Sequence, residues 1–261
     1  MATSSVYDDA YLISKGLYMI VSEVVGPECI VKLRRQKVEI YDTLDHCSSS
    51  DDKLAIISGS KGEGYIFKSP DIDIMYVDKS AIVVSDPSVL TVPYSSIPSL
   101  LMMETDNTPP GFTFVKCLKY DNTNIELKHS LELRGRDIYV SSKQIRETFM
   151  SSSISSCHGP CQTFTGYGVE SDQAYTLNCP TWPNQAIPFI RRSLDRGWPS
   201  HDVLTDICKD GCLLVPINSK QQQYSDMIDL EWRISFSLAE KKLVHSMNHC
   251  QFLCYNYSKC S

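Results

Sequence analysis

The sequence has no apolar run approaching the ~20 residues that a membrane-spanning helix needs, so no membrane partner is expected. The first residues, Met-Ala-Thr-Ser-Ser-Val-Tyr-Asp-Asp, lack both the basic and the apolar stretch of a secretory signal. Positive charge is also short. With 25 Lys and Arg against 31 Asp and Glu, the formal net charge is -6, which argues against a whole-surface field that attracts nucleic acid. No repeat occurs at a period of ~20 to 50 residues, which excludes a solenoid or propeller. Cysteine, by contrast, is plentiful. Without a signal segment, the eleven cysteines are expected as free thiols in a reducing, cytoplasmic setting, buried as small hydrophobes. A chain of 261 residues, 42% hydrophobic and 21% charged, is long enough for a sizeable core and reads as one bilobal unit.

Apolar residues recur at helical spacing from Tyr11 to Val25, and Gly26-Pro27 ends that helix. A second helix runs from there to about His46, completing a long helical spine. Lys32, Arg34, Arg35 and Lys37 on it read as a solvated face or as a local basic face for double-stranded RNA or DNA. Strands are expected at Leu54–Ser58, Asp71–Val77, Phe112–Tyr120, Ile125–Leu133, Tyr175–Leu177 and Leu213–Val215. Helices are expected at Ser141–Met150, Trp182–Arg192, Asp202–Lys209 and Trp232–His249, and flexible loop at Ser151–Cys161.

Gly59-Ser60-Lys61-Gly62-Glu63-Gly64 follows a strand, and its glycines let the backbone come close to a ligand with N–H groups turned outward, as a phosphate cradle requires. Eleven residues after Ser60 comes Asp71-Ile72-Asp73. Carboxylates at i and i+2 share one face of a strand and offer hard oxygen ligands to divalent cations. Unless a cation sits between them, such neighbours repel each other. Two-metal phosphoryl transfer needs a third carboxylate. Asp172 is the candidate, at the start of a strand-like segment, with Glu170 the nearby competitor.

These residues, together with Glu231-Trp232-Arg233-Ile234-Ser235-Phe236-Ser237 and Glu240-Lys241, closely resemble the cyclic GMP-AMP synthase and male-abnormal-twenty-one-like family. The resemblance spans roughly Tyr11 to Tyr255 and implies an α+β nucleotidyltransferase fold. That fold would be a twisted mixed sheet with a long N-terminal helical spine and flanking helices. Its implied division is a spine over 1–47, a nucleotidyltransferase core over 48–230 and, over 231–261, the start of a helical C-terminal lobe. Relatives continue well past this point, so the resemblance implies a chain truncated before that lobe, with apolar surface left bare on the Trp232 segment.

In function, the resemblance implies a metal-dependent enzyme that joins ATP and GTP into a cyclic dinucleotide, as a nucleic-acid-activated innate immune sensor. The alternative is a catalytically inactive nucleotide-binding or developmental scaffold of the same family. Asp71, Asp73 and Asp172 would hold magnesium or manganese. Gly59, Ser60 and Glu63 would meet the donor nucleotide. Arg233, with Ser235 and Ser237 nearby, would lie by the base, unless it is taken up in a helical ion pair with Glu231 or Glu240. Zinc is not expected. His245, His249, Cys250, Cys254 and Cys260 lack the family's compact cysteine cluster, and Cys157-His158-Gly159-Pro160-Cys161 reads as a loop.

Overall fold

The computed structural model describes residues 3–48, 52–65, 71–89, 93–149, 156–166, 169–219 and 226–260. Helices α1 (Thr3–Val25) and α2 (Glu28–Ser48) form the spine. They are separated where Gly26 takes a φ of 105°, a conformation that L side chains rarely adopt. Strand β1 (Lys53–Ser58) runs into a single helical turn, α3 (Gly59–Gly62), and then comes the long β2 (Ile72–Val84). Next are β3 (Ser99–Glu104), β4 (Phe112–Lys119), α4 (Ile125–His129), β5 (Leu131–Arg134), β6 (Asp137–Val140) and α5 (Ser142–Phe149). A hairpin of β7 (Ser156–His158) and β8 (Cys161–Gly166) leads to β9 (Val169–Cys179), α6 (Ile187–Arg196), α7 (His201–Asp210) and β10 (Cys212–Val215). The described chain closes with β11 (Glu231–Ser235), α8 (Ser237–Ser246) and α9 (His249–Cys260).

One mixed sheet organises these elements. β2 pairs with β1 along its first half, with β9 in parallel on the other flank, and with β3 in parallel along its second half. From β3 the pairings continue through β4, β11 and β10 back to β9, so six strands close on themselves. Inside the circuit lie Val83, Leu101, Val115, Leu177, Leu214 and Trp232, with Leu127 of α4 and Ile145 of α5 as a plug. Burying each such side chain contributes about 1.5–3 kcal/mol before the entropy of ordering the chain is counted. Trp232 Nε1 donates to the Val140 carbonyl at 2.9 Å, so the indole enters the core without an orphaned donor.

The outer edge of β1 is covered by α2. Asp45 accepts from the Ala55 N–H at 2.8 Å and Asp42 from the Ile57 N–H at 3.0 Å, which satisfies donors that an edge strand would otherwise present to another chain.

Three expected elements differ. Residues 125–129 are helical, not extended, because Asn124 caps the segment by accepting from the Leu127 N–H at 2.8 Å; only Leu131–Arg134 is strand. Trp232 begins no helix. β11 lies between β10 and β4, with Trp232 and Ile234 in the core, so the segment expected to open a separate lobe first supplies a strand to the sheet. Within the expected loop 151–161, residues 156–158 and Cys161 belong to the β7–β8 hairpin, and 151–155 lie outside the described residues.

The exposed apolar surface is not on the Trp232 segment, where Trp232 is fully buried. A run of exposed apolar side chains lies instead on α1, where Leu12, Ile13, Ile20 and Val24 are 62%, 71%, 63% and 65% exposed. Among the described residues, no helix is long and apolar enough to cross a membrane.

Candidate active site

Parallel pairing of β2 with β9 puts Asp73 directly beside Asp172, and Ile72 beside Ser171. Side chains of register partners emerge on the same face of a sheet. Asp71 is exposed and immediately precedes β2, two residues from Asp73. Glu170 is exposed one step further along β9, where it pairs with Thr165 of β8. Register therefore selects Asp172 as the neighbour of Asp73.

The glycine turn lies against this pair. Ser58 is the β1 partner of Asp73, and the next residue, Gly59, has a φ of 63°. A Cβ built on Gly59 would stand 1.9 Å from Asp73 Oδ2, so only glycine lets the turn close over the carboxylate. Asp73 is half-buried, and its carboxyl is held above the usual range first by burial and then by the charges of Asp172 and Asp71. Lys61, in the same turn, is close enough to feel Asp71, but burial and the neighbouring Lys37 lower its proton affinity.

Asp172 has a partner that sequence reasoning missed. Thr163, its register neighbour on β8, donates its hydroxyl to Asp172 Oδ1 at 2.7 Å and fixes the carboxylate's orientation. No local pattern marks residues 161–166 as a strand, so only the pairing reveals this contact.

The remaining candidates divide. Counting faces across registered pairs, Asp172 and Asn178 share a face, Asn178 pairs with Leu213, and Leu213 pairs with Ser235. Arg233 pairs with Val215 and comes up on that same face, exposed, two strands beyond β9. Because it sits on a strand, the helical ion pair considered for it does not form. Instead, Glu231 is fully buried and accepts from the Ser219 N–H at 2.7 Å. Ser237 lies beside β2, its hydroxyl 3.1 Å from Met75 Sδ. Ser60 is in the turn, half-buried.

Glu63 is turned toward α9. Its carboxylate takes Lys259 Nζ at 2.9 and 3.1 Å and the Tyr255 hydroxyl at 3.2 Å, so its acceptors are engaged by α9.

The basic run on the spine is dispersed. Lys32 pairs with Glu28 at 2.6 Å, Arg34 donates to the Val25 carbonyl, Arg35 turns inward, and Lys37 lies over the Tyr41 ring. On the helix Lys32 and Arg35 fall on one side and Arg34 and Lys37 on another, so the four make no single face, although Arg34 and Lys37 line one cavity together with Lys61. Likewise His245 Nε2 is 2.9 Å from the Gly62 carbonyl, and His249 stacks edge-on to Tyr18.

Residues 103–246 match the model of the Mab-21 protein nucleotidyltransferase domain. The chain belongs to this family. The α+β architecture is accordingly a nucleotidyltransferase fold, and membership supports an activity of the nucleotidyltransferase type. The matched span carries Asp172, β11 and α8. Gly59, Asp71 and Asp73 precede it and are joined to it by the β2–β9 pairing. No curated protein matches the chain.

The donor set suits a hard divalent cation. Among the described residues, no group of three or more His, Cys, Asp or Glu side chains is placed so that it could hold a metal ion, so Asp71, Asp73 and Asp172 do not meet as a ready three-carboxylate site. Magnesium is usually bound in an open arrangement, by one or two carboxylates completed with water and substrate phosphates. Asp73 and Asp172, side by side, are two carboxylates that could enter such an arrangement, and burial, followed by the charges of Asp172 and Asp71, raises the proton affinity of Asp73.

Proposed function

We propose that the chain is a metal-dependent nucleotidyltransferase of the cyclic GMP-AMP synthase-like type, which joins nucleoside triphosphates into a dinucleotide when an activating ligand is present. The single observation that carries the reading is the register of Asp73 with Asp172 beneath the Gly59 turn.

In the proposed reaction a ribose hydroxyl attacks the α-phosphorus of a bound triphosphate. The new oxygen–phosphorus bond forms as the bond to the bridging oxygen breaks, and pyrophosphate leaves. The Gly59-Ser60 backbone cradles the triphosphate, and Asp71, Asp73 and Asp172 hold magnesium or manganese. Cations held there would supply neutralisation of the charge that develops on the phosphoryl oxygens. Thr163 donates to Asp172 Oδ1 and so orients the carboxylate that would hold the cation. Arg233 stands at the base, on the same face of the sheet.

Purified protein given magnesium, ATP, GTP and double-stranded RNA or DNA should release pyrophosphate, and Asp71→Asn with Asp73→Asn should abolish it. Synthesis retained in that double variant refutes the assignment. Nucleotide binding that never leads to pyrophosphate under any activator places the chain with inactive scaffolds of the family.

A further inference from the structure

The Gly-Ser turn does not hold itself. A single helical turn fixes several dihedrals for very few hydrogen bonds, so its shape must be imposed from outside. Three helices impose it. Lys241 of α8 donates to the Ile57 carbonyl at 3.1 Å, and His245 of α8 meets the Gly62 carbonyl at 2.9 Å. Because that carbonyl can only accept, Nε2 of His245 carries the proton. Arg35 of α2 donates from Nε to the Glu63 carbonyl at 3.0 Å and from a terminal nitrogen to the Val244 carbonyl at 3.2 Å. The turn presses so closely on Arg35 that a Cβ on Gly64 would stand 2.8 Å from its Cγ.

Helix α9 holds both ends of this arrangement. Its Phe252, 1% exposed, carries the Arg35 guanidinium 4.4 Å above its ring centroid. One turn and two turns further on, Tyr255 and Lys259 reach the buried Glu63 carboxylate. Glu63 is 7% exposed, and a carboxylate removed from water needs its cationic partner to stay there.

We propose that α9 is a positioning element for the phosphate cradle, with Lys259 and Tyr255 acting through Glu63, and Phe252 acting through Arg35. The inference rests on the transferase reading for its consequence in catalysis, but the mechanical coupling stands apart from it. The three α9 residues are positioning residues: through Glu63 and Arg35 they set where the Gly59-Ser60 backbone lies relative to Asp73. Displacement of α9 frees the Glu63 side chain and loosens the turn while the six-strand circuit stays closed, because α9 contributes no residue to that core.

The test uses the full chain with Lys259→Met, which removes the charge and keeps much of the length, and Lys259→Arg, which restores the charge. Amide exchange of residues 59–65 should quicken roughly tenfold in Lys259→Met, with β9 and β10 unchanged, and should return to the wild-type rate in Lys259→Arg. With magnesium and ATP, KM should rise roughly tenfold in the Met variant, with kcat reduced far less, and the Arg variant should recover. Unchanged exchange over 59–65 overturns the proposal. So does exchange that quickens equally in β9 and β10, which would mark a general loss of stability. A wild-type chain that shows the exchange coupling but transfers no nucleotide overturns the transferase reading and leaves the positioning role intact.

Discussion

Replacing Gly59 by alanine tests the site at its tightest point. The backbone there has a φ of 63°, and a left-handed conformation costs an alanine roughly 1–2 kcal/mol. The added Cβ would lie 1.9 Å from Asp73 Oδ2 and 2.8 Å from its Cγ, so the carboxylate must retreat by about 1 Å. Driving the Asp73 side chain off its rotamer adds roughly 0.5–1.5 kcal/mol, for a combined loss of about 1.5–3.5 kcal/mol. At roughly 2–4 °C per kcal/mol for a chain of this size, the melting temperature should fall by about 3–14 °C. Transfer should fall more steeply, by about a hundredfold, because a 1 Å displacement of a reacting group costs that much. Thermal melts with and without magnesium read the first effect, and pyrophosphate release reads the second. Gly16→Ala is the control. Nothing lies within 4 Å of a Cβ at that position, which is in the middle of α1, so alanine should stabilise by about 0.5–1 kcal/mol. A Gly59→Ala protein that melts with the wild type and keeps its rate would show that the turn does not close over Asp73.

Asp73→Asn should raise the melting temperature of the metal-free protein, because it removes a carboxylate whose ionisation is opposed by burial and by two neighbouring charges. Since the native state raises this pKa, the wild type loses stability relative to the variant as pH rises from the unfolded value of about 4 through the raised native one. Melts from pH 3 to 8 without metal should show that divergence, and stabilisation by magnesium should vanish in the variant; parallel curves would contradict it. Thr163→Val should weaken magnesium affinity about tenfold or more by releasing Asp172 Oδ1, with little change in stability, as titration calorimetry can measure. Asn124→Ala removes a helix cap and a donor to the buried Asp78 carboxylate, and should cost about 2–4 kcal/mol in urea unfolding.

Local chemistry determined much of this protein. The helical spacing of apolar residues sets the spine, and Gly26-Pro27 sets its break, because both depend on neighbours within a turn or two. The Gly59-Ser60 turn and the i, i+2 pair Asp71 and Asp73 are legible for the same reason: three glycines in six residues and alternation along one strand are properties of short segments. The nine-residue stretch that starts at Ile125 misled because Ile-Glu-Leu alternates like a strand, although the preceding Asn124 carries a capping side chain. Only the tertiary structure decided that Asp172 rather than Glu170 stands beside Asp73, that Thr163 holds it, and that Glu63 serves α9. Those facts follow from strand register and helix docking between residues about 100 or more positions apart, and in the case of Thr163 from a hairpin that no local pattern marks. A side chain's own neighbourhood in sequence fixes its conformation; which distant backbone lies beside it is settled by burial of the whole core.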